Sequence, residues 1–238
     1  MDTIHTEKVT LQVADGSSMN AYVAAPAGNA KAPGLLVFQE AFGVNAHIRD
    51  VTERFARQGY VSIAPELFHR SAAPGFEGDY GDFPAVMPHM QALTPEGIIA
   101  DARAAYDWLQ KSSRVLPNST ACVGFCMGGR ASFLANSGLP LKAAISFYGG
   151  GIVPALLPRA AEQHAPILFF WGGLDTHIPK EHVRAIMDAM QEAKKPYVNV
   201  EFSDANHAFF CDARGAYKES AAKQAWALTL QFLNSNVG

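Results

Sequence analysis

Short runs of consecutive apolar residues alternate along the chain with stretches in which apolar residues recur every three to four positions. Continuous apolar runs are typical of parallel strands buried on both faces, and the second spacing gives a helix one apolar face. The strand-like runs are residues 35–38, 60–64, 121–125, 143–147, 167–171 and, more weakly, 198–202. This alternation predicts an α/β fold with a mostly parallel sheet and helices on both faces, a three-layer sandwich.

The first two strands are expected to differ from the rest. Residues 10–13 and 20–23 flank a turn-forming Ala-Asp-Gly-Ser segment, which predicts an antiparallel pair. Two later stretches have a continuous helical face, formed by Ile98, Ala102, Ala105 and Leu109 in one and by Ala222, Trp226, Leu230 and Leu233 in the other.

Residues 71–93 break this alternation. The segment contains three prolines and several glycines, with aromatic residues at Phe76, Tyr80 and Phe83. We expect a long irregular excursion over the sheet edge, because long loops in compact domains are often lids over functional sites. The chain has no repeat and no linker-like tract, so residues 1–238 are predicted to form a single domain.

Charge and composition narrow the range of possible functions. The formal net charge is −3 over 238 residues, with no cluster of Lys and Arg for nucleic acid or an anionic membrane. No apolar run is long enough to span a bilayer, and no basic-then-apolar leader is visible at the N-terminus. The three cysteines do not resemble a disulfide framework, and no metal-ligand spacing occurs. We therefore expect a cytoplasmic protein with no metal.

The strongest local motif is Gly124-Phe-Cys126-Met-Gly128-Gly129, between a predicted strand and a helix-compatible run. It has the form of a nucleophile elbow with Cys in place of Ser. Such a turn presents its nucleophile at a helix N-terminus, where free amides favour negative charge. The alternative interpretation is an unreactive buried Cys in a glycine-rich turn.

An acid and a histidine follow in the order that this motif requires. Asp175 comes directly after the strand-like run 167–171, and His207 comes after the run 198–202. His207 could accept the thiol proton, Asp175 could orient the imidazole, and the thiolate could attack a carbonyl to give an acyl-enzyme. In the alternative interpretation, Asp175 only caps the next helix. His177 and His182 are expected to be solvated.

Several further motifs can be compared with a known family. They are Gln39-Glu40-x-Phe42-Gly43-Val44-Asn45, Ala64-Pro65-Glu66-Leu67, the elbow, Gly172-Gly173-x-Asp175 and His207-x-Phe209. Together they resemble the dienelactone hydrolases, or carboxymethylenebutenolidases, over nearly the whole chain. The resemblance implies an α/β-hydrolase fold.

The resemblance also implies the roles of individual residues. Cys126, Asp175 and His207 would form the catalytic triad. Glu40 would match a family glutamate that meets the resting thiol and helps to generate the thiolate when substrate binds; the alternative is a solvated Glu40 paired with Arg49. The backbone amides of Ala41 and Met127 would form the oxyanion hole. The apolar pocket is expected to be lined by Phe42, Tyr148, Phe209 and the 71–93 segment.

The sequence departs from the dienelactone enzymes at their carboxylate-binding arginines. One of these lies in the segment that corresponds to residues 71–93, which here has no Arg or Lys. The other lies four residues after the catalytic His, where this chain has Cys211. Arg214 is nearby but does not match the family position. The departure leaves the identity of the substrate open.

The sequence therefore predicts a cysteine-dependent hydrolase of a lactone or small ester, with no cofactor and a small-molecule substrate. A thioesterase or amide hydrolase on the same triad is the first alternative. A non-catalytic or redox-sensing protein of the same fold is the second, with Cys211 as the better partner for Cys126. A monomer or a small homo-oligomer fits the sequence equally well.

Overall fold

A single sheet of eight strands organises the chain in the computed structural model, which describes residues 3–237. The strands are β1 (Ile4–Gln12), β2 (Ser18–Pro26), β3 (Ala32–Phe38), β4 (Val61–Pro65), β5 (Val115–Phe125), β6 (Ala144–Phe147), β7 (Ile167–Gly172) and β8 (Tyr197–Phe202). Their spatial order is β1-β2-β4-β3-β5-β6-β7-β8. Only β1 against β2 and β2 against β4 are antiparallel, and the remaining pairs are parallel.

Helices cover both faces of the sheet. They are α1 (Ala46–Arg57), α2 (Phe83–Gln91), α3 (Pro95–Lys111), α4 (Met127–Gly138), α5 (Lys180–Glu192) and α6 (Glu219–Val237), with a short 3-10 helix at Leu157–Glu162. Helices α1 and α6 share one face, where the rings of Phe55 and Trp226 lie 4.6 Å apart. Helices α3 and α4 pack together on the other face. The predicted three-layer α/β-hydrolase architecture is confirmed.

The predicted strands are all present, including the antiparallel opening pair, and both predicted helical faces lie in helices. Segment 71–93 is not wholly irregular, because it contains α2. Asp82 caps this helix by accepting a hydrogen bond from the backbone N–H of Ala85, and a proline occupies its first turn. None of the helices among residues 3–237 combines the length and apolar character needed to cross a membrane.

The parallel strands bring distant segments to one edge of the sheet. Glu40 follows β3, Cys126 follows β5, Asp175 follows β7 and His207 follows β8. The carboxyl ends of parallel strands lie on the same side, which is where open α/β sheets bind ligands. The four residues singled out in the sequence therefore reach the same edge.

A buried ion pair anchors the chain just before segment 71–93. The Asp101 carboxylate is fully buried on α3 and accepts hydrogen bonds from Arg70 at 2.8 and 2.9 Å. His69 Nε2 lies 3.1 Å from the same carboxylate. Arg70 also binds Asp15, but at the surface, where the Asp15 side chain is 44% exposed. One guanidinium thus joins a buried and an exposed carboxylate.

Substituting Asp101 and Asp15 in turn separates the contributions of the buried and the exposed ion pair to stability. Asp101→Asn is expected to lower the free energy of unfolding by about 2–4 kcal/mol, because it leaves Arg70 without its buried counter-charge. Asp15→Asn should cost much less, since exposed ion pairs contribute little. Urea unfolding of both variants measures the difference. Equal losses would show that burial of Asp101 does not matter to the pair.

Candidate active site

The turn between β5 and α4 holds Cys126 in a strained backbone conformation. Its φ of 57° and ψ of −117° lie outside the regions that non-glycine residues ordinarily adopt. The backbone N–H of Cys126 bonds to Phe147 O at 3.0 Å, and its carbonyl accepts from the N–H of Gly129 at 2.9 Å. Strain of this kind persists only where the surroundings impose it, and it is concentrated at functional sites. The turn presents the Cys126 side chain at the N-terminus of α4.

Two glycines allow this turn to form. A Cβ at Gly124 would collide with the backbone of Gly128, and a Cβ at Gly128 would collide with the carbonyls of Phe38 and Gln39. Helix α4 therefore starts in direct contact with the end of β3. The close approach brings the amide of Met127 and the loop that contains Glu40 and Ala41 to the same place.

Asp175 and His207 are joined by a short hydrogen bond. His207 Nδ1 lies 2.7 Å from Asp175 Oδ2, and the other carboxylate oxygen accepts from the backbone N–H groups of His177 at 2.7 Å and Ile178 at 3.3 Å. Asp175 thus caps the turn that follows it, as the alternative interpretation suggested, and also binds the imidazole of His207. Because Nδ1 faces the carboxylate, Nε2 is the ring nitrogen left to interact with Cys126.

The backbone brings the loops of these two residues together. Gly173 N–H donates to Phe202 O at 2.8 Å, and Leu174 N–H donates to Ala205 O at 2.9 Å. The loop after β7 is therefore hydrogen-bonded to the loop after β8. These bonds fix the separation between Asp175 and His207.

The surroundings of His207 favour its charged form. Burial alone would lower its pKa, but the hydrogen bond to Asp175 and the nearby Cys126 side chain raise the pKa to about 10. Burial opposes ionisation of Asp175 as well, yet the bonds from His207, His177 and Ile178 keep its pKa below the usual value. The geometry is therefore suited to an imidazolium between a carboxylate and a thiolate.

Two backbone amides border the space beside Cys126. Ala41 and Met127 both line the same cavity as the thiol. Met127 is the first residue of α4, so its N–H has no partner within the helix. Among residues 3–237, the Ala41 N–H donates no hydrogen bond to another protein group. Both amides are available to a developing oxyanion.

Glu40 is fully buried behind this cavity. The Tyr148 hydroxyl donates to Glu40 Oε1 at 3.4 Å, and Glu40 Oε2 has no hydrogen-bond partner among the described residues. Arg49, a possible partner on sequence grounds, instead binds Glu77 at 2.6 Å. Burial and the nearby negative charge of Glu40 raise the pKa of Tyr148 well above its usual value. An unpaired buried carboxylate oxygen is costly to the stability of the fold.

A cavity of about 460 Å³ opens over Cys126 and His207. Its wall is mostly apolar and includes three residues of segment 71–93. The lining residues are Ala41, Phe42, Tyr80, Phe83, Met90, Cys126, Met127, Arg130, Gly150, Gly151, His177, Ile178, His207 and Arg214. A cavity of this size is suited to a small organic molecule.

Two of the three expected aromatic lining residues lie elsewhere. Phe42 lines the cavity, with its ring 4.7 Å from that of Tyr80. Tyr148 and Phe209 are fully buried and pack edge-to-face against each other at 5.3 Å, behind the wall. The prediction that they line the pocket is therefore corrected. Both rings pack instead in the aromatic core between the sheet and His207.

Three polar side chains that line the cavity, those of Arg130, His177 and Arg214, were not predicted from the sequence to lie there. His177 is exposed, as expected, and its ring also lies edge-on to that of His207 at 5.1 Å. Arg130 follows Cys126 by one helical turn, and Arg214 stacks over the rings of Phe42 and Tyr80 at 5.4 and 5.5 Å. The spacing from Cys126 could have indicated Arg130, whereas the position of Arg214 depends on how its loop folds.

Segment 71–93 is attached to the loop that follows β3. Gly78 N–H donates to Phe42 O at 3.0 Å, and the Asn45 side chain donates to the Tyr80 hydroxyl at 2.9 Å. Arg49 and Glu77 add an ion pair across the same contact. The cavity wall contributed by this segment is thereby held against the loop that contains Ala41.

The other cysteines are poorly placed to react. Cys211 and Cys122 are both fully buried. Burial raises the pKa of Cys211 to about 11 and that of Cys122 to about 12, so both remain thiols at neutral pH. The thiolate is the form that oxidants attack. These features weigh against Cys211 as a redox partner for Cys126.

The sequence profile of the dienelactone hydrolase family matches residues 19–237. The chain belongs to this family. It is accordingly a hydrolase that acts on carboxylic ester bonds, and its fold and recognisable motifs agree with that membership. The resemblance noted in the sequence is confirmed.

Individual relatives of this dienelactone hydrolase family member cover most of the chain. A Salmonella typhimurium protein named "Putative carboxymethylenebutenolidase" is 35% identical over 234 residues, which cover 94% of this chain and 85% of that protein. A Bradyrhizobium protein named "Probable 2-oxo-3-(5-oxofuran-2-ylidene)propanoate lactonase" is 28% identical, with coverage of 96% and 95%. A Klebsiella pneumoniae structure titled "Putative Dienelactone Hydrolase" superposes with a TM-score of 0.89 at 30% identity, covering 98% of this chain and 99% of that chain.

The raised pKa of His207 predicts a pH-dependent contribution to stability. The ordinary value is 6.5 and the folded value is about 10, so the contribution is complete below pH 6.5 and is lost as the pH rises from 6.5 to 10. The difference in unfolding free energy between wild type and His207→Gln should therefore shrink over this range. Urea unfolding at several pH values measures it, with the exposed His164→Gln as the control. A difference that stays constant with pH would contradict this assignment.

Proposed function

We propose that this enzyme hydrolyses lactones or small esters through a thiol-ester intermediate on Cys126. The observation that carries the proposal is the arrangement around His207, where Asp175 binds Nδ1 at 2.7 Å and Cys126 lines the same cavity as the imidazole. An imidazole between a carboxylate and a thiol is the arrangement that nucleophilic catalysis by cysteine requires.

The proposed reaction has two halves. The Cys126 thiolate attacks the substrate carbonyl, and the amides of Ala41 and Met127 stabilise the resulting oxyanion. The C–O bond then breaks, the His207 imidazolium protonates the departing alkoxide, and a thiol ester remains. Neutral His207 next takes a proton from water, whose oxygen attacks the thiol ester and releases the acid. The sulfur leaves as a thiolate, which takes a proton from the His207 imidazolium and restores the resting thiol.

Glu40 is proposed to control when Cys126 becomes a thiolate. Its buried carboxylate lies against Tyr148 in the wall behind the nucleophile. A negative charge there disfavours a second negative charge on Cys126 in the resting enzyme. Substrate that moves the Glu40 side chain, or that changes its hydrogen bonds, would remove this opposition and favour the thiolate.

The substrate class is proposed from the cavity and from one relative. A mostly apolar cavity of about 460 Å³ accommodates a small unsaturated or aromatic acyl group. The name of the Bradyrhizobium relative specifies a lactonase, and that protein aligns with almost the whole chain. Lactones are therefore the preferred class, with small esters next.

A panel of substrates on matched variants tests the proposal. Wild type should hydrolyse dihydrocoumarin and 4-nitrophenyl acetate faster than acetyl thioesters, and Cys126→Ala should lower kcat by about 1,000-fold or more. Glu40→Gln should increase the rate at which iodoacetamide alkylates Cys126 in the absence of substrate.

Cys122→Ala is the control. It removes the thiol of Cys122, which lies in β5, the strand that leads to Cys126, and which does not line the cavity. It should retain near wild-type turnover. Full activity in Cys126→Ala would exclude Cys126 as the nucleophile. A preference for thioesters with lactones at background would instead support the thioesterase alternative.

A further inference from the structure

The Arg130 side chain is partly buried in the cavity wall and has no acidic partner. It lies in the first turn of α4, four residues after Cys126, and lines the same cavity. Among residues 3–237, no carboxylate lies within ion-pairing distance of its guanidinium. Its Nε is buried and has no hydrogen-bond partner. An arginine in this state retains unused hydrogen-bond donors beside the nucleophile.

Stability does not explain a cation at this position. The N-terminus of a helix bears a partial positive charge, so Arg130 lies at the end of α4 that repels it. Burial lowers its pKa, and the only favourable charge acting on it is that of Cys126. Partial burial without a counter-ion adds a desolvation cost. These unfavourable contributions would be offset if an anion bound in the cavity.

The neighbouring backbone is shaped around this guanidinium. Gly151 has a φ of +77°, and a Cβ at this residue would lie 2.8 Å from Arg130 Nη1. Glycine therefore satisfies the backbone conformation and also leaves room for the arginine. Gly150 and Gly151 form the adjacent part of the cavity wall. The guanidinium consequently lies close to the Gly151 backbone in the cavity wall.

The second cavity arginine is held differently. Arg214 stacks over the rings of Phe42 and Tyr80 and thereby joins the loop after β8 to segment 71–93. Cation–π stacking of this kind gives Arg214 a protein partner. Within the described part of the chain Arg130 has no comparable contact, so it is the more available of the two charges.

We propose that Arg130 forms a subsite for a carboxylate on the acyl part of the substrate. One helical turn of about 5.4 Å separates Arg130 from the nucleophile, and we place the carboxylate on the acyl part because that part becomes bonded to the Cys126 sulfur. The carboxylate would lie a few bonds from the carbonyl that Cys126 attacks. The inference rests on the proposed function and adds a specificity determinant to it. Arg130 lies neither in segment 71–93 nor in the loop that contains His207, the two regions in which the dienelactone enzymes have their carboxylate-binding arginines.

A pair of matched esters tests this subsite. Mono-4-nitrophenyl fumarate has a carboxylate, and 4-nitrophenyl fumaramate replaces it with a neutral amide of nearly the same shape; the trans double bond prevents the carboxylate from attacking its own ester. Arg130→Gln should lower kcat/KM for the fumarate ester by about 10- to 100-fold, mostly through KM. The fumaramate should change less than about threefold. Arg130→Lys should restore part of the loss.

Arg214→Gln is the matched arginine control and should affect both esters to the same extent. The pH dependence of Cys126 alkylation by iodoacetamide, measured on Arg130→Gln, provides a second readout and should match wild type. Equal losses for both esters together with shifted alkylation would overturn the subsite and assign Arg130 to thiolate stabilisation. No loss for either ester, or an anion-selective loss only in Arg214→Gln, would also overturn it. If wild type failed to hydrolyse either ester through Cys126, the proposed function itself would fail.

Discussion

The contact between the first turn of α4 and the end of β3 is the constraint on which the site depends. Gly128 allows this contact, and Gly124 allows the strand to enter the turn that precedes it. The contact holds Cys126 in a backbone conformation that a free chain would rarely adopt. It also places the Met127 amide beside the Ala41 loop. A larger residue at either glycine would move the sulfur and the amides relative to each other.

Several polar side chains around this contact have other protein groups, rather than solvent, as their partners. Asp175 binds the imidazole of His207, and Asp175 and Cys126 both raise the pKa of His207. Glu40 and Arg130 lie outside this chain of partners, each with a buried polar atom that has no hydrogen bond. Unsatisfied buried groups are uncommon in native proteins, and they mark sites where a ligand or a rearrangement supplies the missing partner. Of these two groups, Arg130 lines the cavity that substrate would occupy and Glu40 lies behind its wall.

Apolar periodicity was sufficient to predict the sheet, the two long helical faces and the edge at which Cys126, Asp175 and His207 meet. It was not sufficient for the cavity wall. Tyr148 follows β6 as a pocket residue would, yet its ring turns into the aromatic core against Phe209. The rotamer is determined by packing among distant residues, which local sequence does not encode. Helix α2 was missed for a related reason, since its prolines suggested irregular chain although one of them occupies a first turn.

A covalent intermediate on Cys126 is the central claim, and intact-protein mass spectrometry tests it most directly. Wild type mixed briefly with 4-nitrophenyl acetate and quenched in acid should gain the mass of one acetyl group. Peptide mapping should locate this group on the peptide that contains Cys126, and hydroxylamine should remove it, because thiol esters react with this nucleophile. Cys126→Ala should gain no mass. Turnover of the ester with no acyl adduct in wild type, or with the adduct on another residue, would contradict the account.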